Sequence, residues 1–162
     1  MAAALLLAAA PVSAQDMVYS DAGTLACLAA AASTSAKAEC AGVSALACME
    51  DSPGGTSTMG NVECLDSEVT FWDDILAGLR AQAMEKARAT DEAARTDGLG
   101  QSFMVETLTG LETAWQGYSD ARCAFERAQY RDGTGGGPAE LRCVLRTMGE
   151  HAAYLQDMWI SQ

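Results

Sequence analysis

Six cysteines, at positions 27, 40, 48, 64, 123 and 143, restrict what this chain of 162 residues can fold into more than any other feature. None of them belongs to a Cys-x-x-Cys pair, and His151 is the only histidine that would complete a zinc set. A tetrahedral thiolate site needs four N or S ligands at short spacings, so that chemistry is set aside. The redox compartment then decides how the thiols are used. Met1 to Ala10 is almost pure Ala and Leu, Pro11 interrupts it, and Val12-Ser13-Ala14 fits the small-residue rule for signal cleavage. Residues 1–14 therefore read as a signal peptide cleaved near Ala14, followed by one helical domain over 15–162. The apolar run is too short to span a bilayer, and the expected location is periplasmic or secreted. In an oxidising compartment an even cysteine count implies a disulfide framework, here three bridges among about 15 connectivities.

Between the cysteines, apolar residues recur at spacings of three and four. Leu65, Val69, Trp72, Leu76, Leu79 and Ala83 mark a helix over 62–94. Leu108, Leu111, Trp115, Tyr118, Arg122, Phe125 and Gln129 predict a helix over 102–130 with that set on one face. Leu141, Leu145, Met148, Ala152, Leu155 and Trp159 predict another over 139–159. Upstream, an Ala-rich helix is expected over 18–32, Ser33 to Ser35 offers an N-cap, and a second helix follows over 36–50. The stretch "DSPGGTSTMGN", residues 51–61, reads as a loop. No segment alternates with period two long enough to make a strand. The expected class is all-α, with antiparallel helical hairpins packed as a bundle. Each consecutive pair of cysteines then straddles a helix–helix turn, which favours bridges 27–40, 48–64 and 123–143.

The net charge of −12 repels nucleic acid and anionic membrane, and it attracts a cationic protein partner. The neighbouring carboxylates Asp73 and Asp74, and Asp66 and Glu68, diverge on a helix and read as solvated acids rather than a glycosidase pair. No nucleophile stands beside a base, so the chain reads as non-enzymatic and without a cofactor. The stretch "GTGGGPAEL" lacks the preceding strand and the Gly-Lys-Ser/Thr of a phosphate loop. It reads instead as a hairpin turn held by a nearby disulfide, a place from which a recognition loop can protrude. Gly135, Gly136 and Gly137 in that turn are candidates for partner contact. Arg122, on the aromatic stripe, and His151, beside the last one, join them. Trp72, Trp115, Tyr118, Phe125 and Trp159 are expected in the core.

The segments "LETAWQGYSDARCAFE", "LRC" and "TMGEHAAYL", with "CLDSEVTFWDDIL" upstream, resemble the LprI-like lysozyme inhibitor family. The resemblance is carried by Trp115, Tyr118, Asp120, Cys123 and Cys143 and covers about Cys40 to Leu155. It implies a small secreted helical module whose partner is a lysozyme. Ser119 and His151 stand where the family usually has arginine, and Arg122, one turn on from Ser119, is the nearest replacement. Two readings of function stand at this point. One is a secreted protein-binding module that inhibits a cationic lysozyme. The other is a disulfide-stapled structural or adaptor protein of the cell envelope without lysozyme affinity.

Overall fold

A computed structural model describes residues 17–98 and 100–161, so the expected signal peptide lies outside the described residues. Six α-helices follow in chain order among them: α1 (Ala22–Ala30), α2 (Thr34–Ala38), α3 (Val43–Asp51), α4 (Thr58–Thr96), α5 (Met104–Ala128) and α6 (Gly136–Tyr154). The chain runs on from α6 into a π-helical turn at Leu155–Ile160. No strand occurs among the described residues.

The spine is α4, 39 residues long, which at 1.5 Å per residue is about 58 Å. Its inward face is the stripe expected from spacing, with Leu65, Trp72, Leu76 and Ala83 buried and Val69 and Leu79 packed against them. Helix α6 packs on α4, α5 and α2, while α3 packs on α4. At Gly149 a Cβ would stand 2.7 Å from the Ala38 carbonyl oxygen and 2.8 Å from the Ala41 Cβ. The missing side chain is what lets the α2 end lie directly on α6. Disulfides join Cys27 to Cys40, Cys48 to Cys64 and Cys123 to Cys143, with Cα atoms 5.6, 5.7 and 5.3 Å apart. The all-α class and the sequential pairing are those expected from the hairpins.

Local differences have identifiable causes. The helix expected over 36–50 is two helices, and Cys40 lies in the turn between them. Gly42 adopts φ +105°, a left-handed conformation that costs glycine little, and its amide leaves the helical ladder to bond Glu68 across the core. Helix α4 begins at Thr58 rather than at 62, because the Ser57 hydroxyl accepts from the Gly60 amide at 3.0 Å and caps it. Residues 17–20 are an irregular strap rather than the start of α1. Met17 and Tyr19 pack on the core there, and the Val18 amide donates to Ser52 Oγ at 2.8 Å. Helix α5 is capped from another helix, since the Met104 and Val105 amides donate to the Asp91 carboxylate at 2.9 and 3.1 Å. The Ser102 hydroxyl and these two amides hold that carboxyl below the usual range.

The largest correction concerns α5. Its inward face is Leu108, Glu112, Trp115, Ser119 and Cys123, whereas Leu111, Tyr118 and Phe125 are exposed. Both sets recur at helical spacing, and tertiary pairing chooses between them. The Cys123–Cys143 bridge and a 2.7 Å bond between the Ser119 and Thr147 hydroxyls pin the other face to α6. Tyr118 and Phe125 are therefore not core residues.

Candidate functional site

Glu68, read from sequence as a solvated acid, is fully buried. Its Oε1 accepts from the Thr24 hydroxyl at 2.7 Å, the Gly42 amide at 2.9 Å and Trp72 Nε1 at 3.1 Å, and its Oε2 accepts from the Ala45 amide at 2.6 Å. One carboxylate thus ties α1, the α2–α3 turn and α3 to the spine. Four donors satisfy the group, so it is a structural hub rather than a reactive acid. The sequence held a signal for it, since Glu68 falls on the apolar stripe between Leu65 and Trp72.

A second polar cluster sits between α4, α5 and α6. His151 is buried, and its Nε2 lies 2.8 Å from Glu112 Oε1. The Glu112 Oε2 accepts from Arg80 Nε at 2.7 Å. The Trp115 ring stacks on the imidazole at 4.4 Å between centroids, and the Arg80 guanidinium lies 5.0 Å from the Trp115 ring. Glu112, one helix away, is polar company that no motif around His151 announces. Burial pushes the His151 pKa below its ordinary value, against the opposing pull of Glu112. A group whose folded pKa is depressed contributes stability that is complete above its unfolded pKa. Below about pH 6.5 the unfolded chain takes up a proton that the folded chain refuses. Melting followed by circular dichroism is therefore expected to weaken as pH falls from there towards the depressed folded value. In His151→Gln that portion of the pH dependence disappears; a variant with an unchanged profile would assign the proton uptake to another group.

The surface is more polarised than the overall charge suggests. Between Lys37 and Arg80 the chain has no Lys, Arg or His but eight acids, so this segment alone contributes −8 of the net −12. Glu39, Glu50, Asp51, Glu63, Asp66, Asp73 and Asp74 are exposed, and only Glu68 is internal. The α5–α6 turn adjoins this acidic region. Arg142 Nη2 donates to Asn61 Oδ1 at 2.5 Å, and a Cβ on Gly137 would touch Val62 at 3.5 Å.

Of the residues singled out from sequence, Gly136 is buried and Gly135 and Gly137 are half-buried, the exposed part of their turn being residues 131–134. Arg122 is half-buried, donates to the Tyr118 hydroxyl at 3.2 Å and pairs with Glu150 at 3.4 Å and Glu126 at 3.7 Å. Asp120 is exposed and accepts from Gln116 Nε2 at 2.8 Å. Ser119 and His151 are both buried between α5 and α6. Among the described residues there is no group of His, Cys, Asp and Glu arranged to hold a metal ion. No helix among them is long and apolar enough to cross a membrane.

A family model described as lysozyme inhibitor LprI matches residues 48–155. The chain belongs to the LprI family. No curated protein and no solved structure matches it. The LprI match starts at Cys48, eight residues later than the resemblance read from sequence. It takes in the Cys48–Cys64 and Cys123–Cys143 bridges and leaves α1, α2 and Cys27–Cys40 outside. Within the LprI segment, Trp115 covers His151 and Cys123 fastens α5 to α6, so these motif positions build the hairpin. Asp120 and Tyr118 face outward from it.

Proposed function

We propose that this LprI-family chain is an exported, non-enzymatic inhibitor that binds a cationic lysozyme. The observation that carries the reading is the family match over residues 48–155. Two further features support it. Three disulfides suit an oxidising, extracytoplasmic compartment. The base-free acidic stretch between Lys37 and Arg80 suits capture of a strongly basic protein by long-range attraction. In this reading, one helical domain behind the 1–14 signal approaches with the acidic N-terminal half of α4 leading. The neighbouring α5–α6 turn, with Gly135, Gly136 and Gly137 at its base, enters the enzyme's cleft, while His151 supports the hairpin from within and Arg122 braces its surface.

The test is binding of the purified mature protein to a cationic lysozyme at low and physiological salt, with a cell-wall lysis assay beside it. The association rate is expected to fall roughly tenfold or more on adding salt, because exposed charges are screened beyond about 8 Å at physiological ionic strength. Neutralising Glu63, Asp66, Asp73 and Asp74 together slows association and leaves dissociation nearly unchanged. Absence of binding at low salt, where steering is strongest, would remove lysozyme as the partner and leave the adaptor reading.

A further inference from the structure

The outward face of α5 repeats with a period of seven. Leu111, Tyr118 and Phe125 are large and exposed, and Ala114, Ala121 and Ala128 follow each of them by three residues, also exposed. Three consecutive heptads with apolar residues at both seam positions describe a helix that packs lengthwise against another helix. No helix among the described residues covers this seam. We propose that it pairs with the same seam of a second copy, α5 against α5 and antiparallel, to give a two-fold symmetric dimer.

Size alternation selects the second copy and the direction. In an antiparallel pair the two seam positions interleave, so Leu111 meets Ala128 of the second copy, Ala114 meets Phe125, and Tyr118 meets Ala121. Each layer then holds one large and one small side chain, and the layers fill evenly. A parallel pair would set large against large in one layer and alanine against alanine in the next, leaving clashes and voids in turn. One surface patch that complements itself about a two-fold axis is what an isologous dimer requires.

Charge and backbone agree with this. In a chain with 22 acids, the seam positions from Leu111 to Ala128 carry none, and Glu150, which borders the seam from α6, is paired with Arg122 at 3.4 Å, so the repulsion between two negative molecules is reduced there. Gly110 and Gly117 flank the seam inside the helix, where glycine is a poor residue. A Cβ at either would meet nothing within 4 Å, so the packing of one copy does not call for them. Beside a second helix, the missing side chains permit close approach.

The contact is small. Tyr118 is 56% and Phe125 68% exposed, and with aromatic side chains presenting on the order of 150–250 Å² each the seam removes roughly 400 Å² per copy. A standard stable interface takes about 800 Å² per partner. The dimer is therefore weak and concentration-dependent, and salt strengthens it by screening the repulsion between the two copies. This dependence is opposite in sign to that of lysozyme capture, and the inference stands independently of that reading.

Sedimentation equilibrium of the disulfide-bonded protein, from dilute to concentrated and at low and high salt, tests it. The average mass is expected to rise towards that of a dimer with concentration, more steeply at high salt. Tyr118→Glu and Phe125→Glu, each at an exposed site and each with unchanged circular dichroism, weaken association about tenfold or more. Gln116→Glu adds the same charge on the exposed side of α5 that faces away from the seam and leaves association unchanged. A monomeric mass at the highest concentration and salt would overturn the proposal, as would association that survives Phe125→Glu. Loss of lysozyme binding in Phe125→Glu with no self-association in the parent protein would overturn it too, and would give this face to the lysozyme.

Discussion

Reduction of the three disulfides is expected to unfold this protein near room temperature, or to leave it a loosely packed helical chain. The bridges close loops with sequence separations of 13, 16 and 20, each contributing about 3 kcal/mol by constraining the unfolded chain. Together that is about 9 kcal/mol, as large as the whole net stability of an ordinary domain. Single removals separate their roles. Replacing both Cys123 and Cys143 by alanine lowers the melting temperature by roughly 10 °C and loosens the α5–α6 hairpin, the C-terminal half of the family segment. Replacing Cys27 and Cys40 costs a similar amount but frees α1 and α2, which lie outside that segment, while α4, α5 and α6 keep their packing. Thermal melts with and without strong reductant, with free thiols counted, decide the matter. An unchanged melt in the fully reduced protein would mean that the helix core alone suffices.

Glu68→Leu is expected to be the most damaging single substitution in the core. It leaves the Thr24 hydroxyl, the Gly42 and Ala45 amides and the Trp72 indole N–H without their acceptor. Each buried unsatisfied group costs about 1–3 kcal/mol, so a loss on the order of 5 kcal/mol is expected even after partial rearrangement. Glu68→Gln is milder, at about 2 kcal/mol. Its carbonyl oxygen replaces Oε1 and keeps three of the donors, but its NH2 then points at the Ala45 amide, donor against donor. The neighbouring Asp66→Asn, on the exposed side of the same helix, changes stability by less than about 0.5 kcal/mol. Urea titrations of the three variants rank them. A Glu68→Leu protein within about 1 kcal/mol of the parent would show that water or a side-chain shift replaces the carboxylate.

Much of this architecture is written locally, and for that reason it was legible. The existence of the long helices follows from apolar spacing. The bridges follow because cysteines on either side of a turn are brought together by the turn itself, whatever the rest of the chain does. What could not be read were the choices that depend on segments far apart in the chain. Two stripes on α5 satisfy the helical period equally well. Hydrophobicity favours the one with Leu111, Tyr118 and Phe125, but the face that is buried holds Glu112, Ser119 and Cys123, because α6 presents His151, Thr147 and Cys143 to receive them. In the same way, an acid on the apolar stripe of α4 looks like a surface residue until Thr24, Gly42 and Ala45 arrive to bond it. That same meeting splits the helix expected over 36–50 into two, since the Gly42 amide finds its partner on α4 instead of in its own helix. Residue types and spacing determined that this chain makes disulfide-stapled helices with a strongly acidic surface. Only the tertiary structure decided which polar groups go inside, because burying a charge is permitted only where its partners, drawn from separate helices, are already in place.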